Sequence, residues 1–260
     1  MLYIFSAVFG LLLGSLAGAA VYRLPRGQTL LRPARSHCVS CGKSLTAADL
    51  VPLFSFLLLR GKCRFCGQKL SWRYPATELL TAGLFCAAYW RFGISYETFA
   101  VWGLCFCLVC LSLIDYDFGI LPDGLNVAAG IFGVGYVAAR VFAENSLSPV
   151  RDGLLGAAIG ALPLLSIDLL VRFFAKKDAF GLGDVKLMAA CGLFLSASGS
   201  AMALLFAVMS GGLCGAVLLS TRRLSRGSHI PFGPFLAAGV LVSLWFGQNI
   251  LHWYLGMFLY

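Results

Sequence analysis

The feature that most constrains this chain is a succession of apolar runs, each close to the length a helix needs to cross the ~30 Å hydrocarbon core of a bilayer. They fall at 1–22, 74–90, 98–114, 124–143, 153–174, 185–198, 200–221 and 232–258. A segment in lipid has to satisfy its own backbone N–H and C=O groups, so such runs fold as helices. The sequence therefore predicts an all-α polytopic membrane protein with about eight transmembrane helices. The break near Ser196 to Ser200 also allows seven spans with one long bent helix. Of 260 residues, 60% are hydrophobic and 12% charged, which leaves no room for a large soluble domain. No basic stretch precedes the first run, so it is expected to be a retained span and not a cleaved signal.

Basic residues orient the spans, because short loops rich in Lys and Arg stay on the cytoplasmic side. Ten lie between 23 and 73. Loops on the same side of an eight-span arrangement add Arg172, Lys176, Lys177, Lys186, Arg222, Arg223 and Arg226. The opposite side carries only Arg91, Arg140 and Arg151. Both termini are thus expected outside the cytoplasm. The formal charge of +9 is accounted for by a basic rim beside anionic lipid. No nucleic-acid partner is expected.

Between the first and second runs stand Cys38-x-x-Cys41 and Cys63-x-x-Cys66, each pair followed at once by glycine, Gly42 and Gly67. Two such knuckles can close four thiolates round one zinc ion, glycine permitting the tight turn. Redox-active pairs or two disulfides would use the same residues, but the charge pattern puts them in reducing cytoplasm. The expected organisation is a first transmembrane helix at 1–22, a small cytoplasmic zinc-knuckle domain at 23–73 and a transmembrane catalytic domain at 74–260. With four cysteine ligands the zinc would be structural, closed to water. The other six cysteines lie in apolar runs, where cysteine behaves as a small hydrophobe.

Only eleven acidic residues exist, and an ionisable group at membrane depth is a functional candidate by default. Asp115, Asp117 and Asp123 cluster at the cytoplasmic end of the third span, and Asp184 opens the sixth. The charge-derived topology brings both places to one membrane face. Two adjacent carboxylates cannot both ionise cheaply, so one keeps a proton as general acid while the other activates water. That is the apparatus of an aspartyl protease. Gly181 and Gly183 allow close packing or positive φ just before Asp184. Taken alone, Asp184 also reads as an acid favoured by its helix N-terminus. Asp123 after Pro122 reads as a helix start, and Asp117 as a helper to Asp115 or a turn residue. Asp168 is expected to pair with Arg172, Glu78 to be held by its helix dipole, and Lys186 to bias the aspartates or snorkel.

Together these residues resemble the type IV prepilin peptidases of bacterial inner membranes, aspartyl proteases of the Gly-x-Gly-Asp type. The resemblance runs in order along nearly the whole chain: Gly14-Ser15, Tyr22-Arg23-Leu24-Pro25, both cysteine knuckles, Ser71-Trp72-Arg73-Tyr74-Pro75 with Glu78, Asp115, Leu121-Pro122-Asp123, Gly181-Leu182-Gly183-Asp184-Val185-Lys186, and Pro231-Phe232-Gly233-Pro234-Phe235. It implies that Asp115 and Asp184 are catalytic and that the active site faces the cytoplasm. The substrates it implies are prepilins and type II secretion pseudopilins, cut after a basic leader. Bifunctional members also methylate the new N-terminal residue with S-adenosylmethionine, and the four-cysteine segment belongs to them. One departure stands out: the family's first motif usually reads Gly-Ser-Phe-Leu-Asn, and here Gly18 occupies the asparagine position. A transporter would instead place its acids near mid-span. A scaffold without chemistry would leave the convergence of Asp115 and Asp184 unexplained.

Overall fold

A computed structural model describes residues 1–30, 36–175, 181–221 and 230–258. Of the basic residues that set the expected orientation, Arg32, Arg35, Lys176, Lys177, Arg222, Arg223 and Arg226 lie outside the described residues. The described residues are all-helical apart from two isolated bridges, His37 with Ser44 and Lys62 with Lys69.

The chain forms two compact units, Met1–Thr98 and Phe99–Tyr260. In the first, α1 (Leu2–Arg23) packs along α3 (Arg73–Phe92), and the cysteine segment with the short α2 (Phe54–Leu58) lies between them in sequence. The approach of α1 and α3 is at backbone distance. A Cβ added to Gly14 would lie 2.6 Å from the Cα of Glu78, closer than real atoms come, so only glycine lets the helices meet there.

The second unit contains nearly all of α4 (Tyr96–Phe118), then α5 (Asp123–Glu144), α6 (Ser148–Ala175), α7 (Leu182–Gly192), α8 (Ala197–Ser220) and α9 (Gly233–Phe258). Among the described residues, six segments are long and apolar enough to cross a membrane: Leu2–Arg26, Tyr96–Phe118, Asp123–Glu144, Ser148–Phe174, Ala197–Ser220 and Gly233–Met257. In α4, 67% of the apolar window is buried against 33% or less in the other five, so α4 is the helix the unit is built around. Leu104, Leu108, Leu111 and Ile114 run down its buried side, and Cys105, Cys107 and Cys110 fill the gaps between them as small apolar groups.

α3 and α7 complete the expected set of runs without meeting the same test. α3 has the length, but Glu78, Arg73 and Arg91 lower its hydropathy. α7 is shorter than the run at 185–198 suggested. Its 11 residues rise about 16 Å, roughly half a hydrocarbon core. It ends because residues 193–196 turn before α8 begins behind the Ser196 side chain, which accepts the N–H of Gly199.

α7 is held by its neighbours. Gly192 meets the backbone of Gly156 and Ala157 in α6, and Gly156 in turn meets the carbonyls of Leu195 and Gly192. Gly192→Val is expected to force the pair apart at a cost of about 1–3 kcal/mol, visible as a lower unfolding temperature in detergent. Gly212→Val in α8, where a Cβ would meet nothing within 4 Å, should be nearly silent.

Candidate functional site

Four helix ends of the second unit gather round two carboxylates. α4 runs out just past Asp115: the N–H of Gly119, at φ 65°, closes on the Asp115 carbonyl at 2.8 Å and turns the chain away. The Asp115 side chain is 7% exposed, and its Oδ2 accepts the N–H of Gly233, the first residue of α9, at 2.7 Å. A Cβ at Gly233 would lie 2.8 Å from that oxygen, so glycine is what lets the backbone donor reach it.

Asp184 enters from the first turn of α7 and is also 7% exposed. The N-cap of α7 is Gly181, with no side-chain cap bond, so Asp184 does not act as the helix cap. The backbone of Gly181 supports its carboxylate, and the charge of Asp115 acts on it. Its Oδ1 is buried and has no hydrogen-bond partner among the described residues. A buried, unpartnered acceptor is costly, and here the charge of another carboxylate, Asp115, acts on the same group.

The glycines flanking Asp184 act by size and not by unusual torsion. Gly181 has φ −70°, and Gly183 does not have positive φ either. A Cβ on Gly183 would lie 2.7 Å from the Cβ of Leu121, so Gly183 lets α7 seat against the loop after α4. Lys186 pairs with Asp123 at 2.7 Å, both side chains largely exposed. This pair joins the start of α7 to the start of α5, where Asp123 is the first helical residue after Pro122. Asp117 sits exposed on the last turn of α4. Asp168 is buried in α6 and pairs with Arg172 at 2.7 Å.

Asn126, which the sequence did not single out, is 4% exposed, and its Nδ2 donates to the Gly183 carbonyl at 3.4 Å. Its Oδ1 is buried and unpartnered among the described residues. The only signal was a lone amide inside the apolar run, one turn after Asp123.

In the first unit, the Sγ atoms of Cys38, Cys41, Cys63 and Cys66 all lie within 4.8 Å of one another. Cys38 and Cys66 are 3.9 Å apart, near the ~3.8 Å edge of a tetrahedron with ~2.3 Å metal–sulfur bonds and far from a ~2.05 Å disulfide. The two knuckles have matching geometry. Gly42 donates to the Cys38 carbonyl at 2.8 Å and Gly67 to the Cys63 carbonyl at 3.0 Å, with φ of 69° and 70°. Backbone N–H groups of Cys41 and Ser40 hold the Cys38 thiol down to about 6, favouring the thiolate that binds metal. The donor set fits a closed tetrahedral metal ion. His37 pairs by backbone with Ser44 and is exposed.

Glu78 departs from the simple helix-dipole expectation. It is 7% exposed and accepts the N–H of Leu53 at 2.8 Å, across 25 residues. Leu53 has φ 59°, a costly torsion for a leucine, and it joins the cysteine segment to α3.

Comparison with known proteins adds the family. The Bacterial Peptidase A24 N-terminal domain matches residues 8–92, and the Type IV leader peptidase family matches residues 102–216. A prepilin leader peptidase/N-methyltransferase of Bacillus subtilis (strain 168) is 38% identical over 96% of this chain and 96% of its own. Proteins of the same description from Pseudomonas putida and Xanthomonas campestris are each 34% identical, covering 92% and 96% of this chain and 89% and 93% of theirs. No solved structure matches.

The metal reading of the cysteine cluster is checked by elemental analysis. Cys38→Ser or Cys63→Ser should lose the metal. Removing it from the unaltered chain by chelation should expose 36–71 to proteolysis, since a structural zinc contributes on the order of 10 kcal/mol to the fold of a small domain.

Proposed function

The chain belongs to the type IV leader peptidase family, and from that membership we propose that Asp115 and Asp184 are the catalytic pair of a prepilin leader peptidase and N-methyltransferase. The observation that carries the reading is the convergence of the two buried carboxylates where α4 ends and α5, α7 and α9 begin. Prepilins and type II secretion pseudopilins are the substrates. The basic leader lies over the cytoplasmic rim, and the apolar segment behind it enters among the helices.

Cleavage needs one protonated and one ionised carboxylate. Asp115, with Oδ2 tied to the Gly233 N–H, is held in a fixed orientation. Asp184 presents an Oδ1 that has no partner among the described residues. A water placed between them loses a proton to the ionised carboxylate as it attacks the scissile carbonyl. The other carboxyl protonates the departing amine, and the pair returns to its starting state. Gly181 and Gly183 seat Asp184, while the Lys186–Asp123 pair fastens α7 to α5. Asp117 remains a helper at the rim of the same end.

The arrangement belongs to a multi-pass protein of the bacterial inner membrane, with the site facing the cytoplasm. Eight crossings are supported by parity. α5, α7 and α9 all start at the end where α4 stops, so α6 and α8 return there and α7 with its following turn makes the intervening passage. The functional division follows the spans: 1–22 as first helix, 23–73 as cytoplasmic zinc domain and 74–260 as the protease domain.

Zinc is the metal proposed for Cys38, Cys41, Cys63 and Cys66, with a structural role. S-adenosylmethionine, when bound, supplies an electrophilic methyl group for the N-terminal nitrogen exposed by cleavage. A cavity of about 490 Å³ in the Met1–Thr98 unit is of a size that takes such a molecule. Ser15, Phe56 and Tyr74 on its wall offer a hydroxyl and aromatic faces for a cationic group.

Asp115→Asn and Asp184→Asn should each reduce prepilin cleavage in membranes by about 10³-fold or more, read as the mass shift of the substrate, with unfolding temperature unchanged. Wild-type cleavage in either variant would remove that residue from the pair.

A further inference from the structure

The cavity of the Met1–Thr98 unit contains an acid that peptide cleavage does not use. Its wall draws on Ser15 and Gly18 of α1, Cys38 and Phe56 of the cysteine segment, and Tyr74 and Glu78 of α3. Two acids reach this cavity, and they are in different states. Asp49 is fully engaged: Thr46 donates to it through its backbone at 3.0 Å and its hydroxyl at 2.7 Å, and Arg64 pairs with it at 2.8 Å. Glu78 accepts the Leu53 N–H, Ser15 stands with it on the cavity wall, and among the described residues no cation pairs with Glu78.

A carboxylate more than nine-tenths buried normally has a counter-charge. Here the protein supplies a neutral backbone donor, and the carboxylate lines an open cavity. The Leu53 donor is held at a cost, at φ 59°. Strain of this kind at a solvated cavity marks a site that takes a ligand, and the ligand that completes the charge is a cation. The product of leader cleavage carries one, its new α-ammonium.

We propose that this cavity is the methyl-transfer site and that Glu78 receives the substrate's α-ammonium and takes its proton. The inference rests on the methyltransferase reading above. Proton transfer to Glu78 frees the nitrogen lone pair, which attacks the methyl carbon of the sulfonium donor. The nitrogen–carbon bond forms as the carbon–sulfur bond breaks, and its electron pair stays on sulfur, which becomes a neutral thioether. The product is a secondary ammonium, and Glu78 returns its proton to water.

Gly18 supplies an independent handle. A Cβ there would meet only the Tyr74 ring, at 3.4 and 3.7 Å, which is ordinary contact. A larger side chain at 18 is therefore accepted by the helix and projects into the cavity, without touching the Leu53 hydrogen bond.

The test uses the full chain in detergent and a peptide bearing the mature, free-amine N-terminus, with its N-acetylated form as control. Glu78→Gln keeps a carbonyl oxygen for the Leu53 N–H and removes the charge. Binding of the free-amine peptide should weaken by about tenfold or more, to the level of the acetylated one. Methyl transfer should fall by about 10²-fold or more, with leader cleavage and metal content unchanged. Gly18→Phe should likewise lose methyl transfer and keep cleavage. A Glu78→Gln enzyme that binds the free amine or methylates it as the wild type does would overturn the assignment. So would joint loss of metal and cleavage, which would make Glu78 a clamp for Leu53. A wild-type enzyme that cleaves but transfers no methyl group would instead sink the methyltransferase reading, a result distinct from a failure at Glu78.

Discussion

A carboxylate withdrawn from water has to be solvated by the protein, and the placement of acids in this chain follows from that requirement. Asp168, deep in α6, is met by Arg172 one turn away. Asp115 is met by a backbone N–H from a helix 118 residues further on, and Glu78 by one from a loop 25 residues back. Asp184 is met only in part. Its second oxygen stays buried and unpartnered among the described residues, next to another carboxylate. Its surroundings call for a proton, a water or a substrate group, which sets it apart from a structural ion pair such as Asp168 with Arg172.

Bringing those donors within reach depends on helices approaching at backbone distance. Gly233 can donate to Asp115 only because no side chain intervenes, and Gly183 lets α7 seat against Leu121. Gly192 and Gly156 fix α7 against α6 in the same way. In a membrane these contacts replace the hydrophobic drive that would hold helices together in water. The precision of the site therefore comes from small residues that carry no chemistry of their own.

Much of this was legible in the sequence, and the physical reason is locality. Hydropathy is a local property, so the all-helical plan and the long spans could be read from it. The cysteine knuckles are also local, since two short turns bring each pair together, and their glycines advertise the turns. Asp115 and Asp184 could be paired because charge bias orders whole segments across a bilayer. The length of α7 could not be read, because its end is set by the glycine contacts with α6 and by the turn at 193–196, and neither alters hydropathy. The donors from Gly233 and Leu53 were equally silent, since a backbone N–H looks the same in every residue. Asn126 showed only as an amide in an apolar run, and Glu78 had a sufficient local explanation that concealed a distant partner.

The acids assigned to the proposed chemistry illustrate how environment divides labour between identical functional groups. Asp115 and Asp184 converge at one group of helix ends, an arrangement suited to holding and passing one proton during hydrolysis. Glu78 has no acid partner of that kind: Asp49, the other carboxylate at its cavity, is already neutralised by Arg64 and Thr46. A buried carboxylate without a counter-charge is completed by a cation. Hydrolysis of a leader consumes an amide, which is neutral, and releases an ammonium, which is charged. On the proposed assignment the pair suits the first species and the lone acid the second, so the order of the two reactions follows from the charges of the species each site would take.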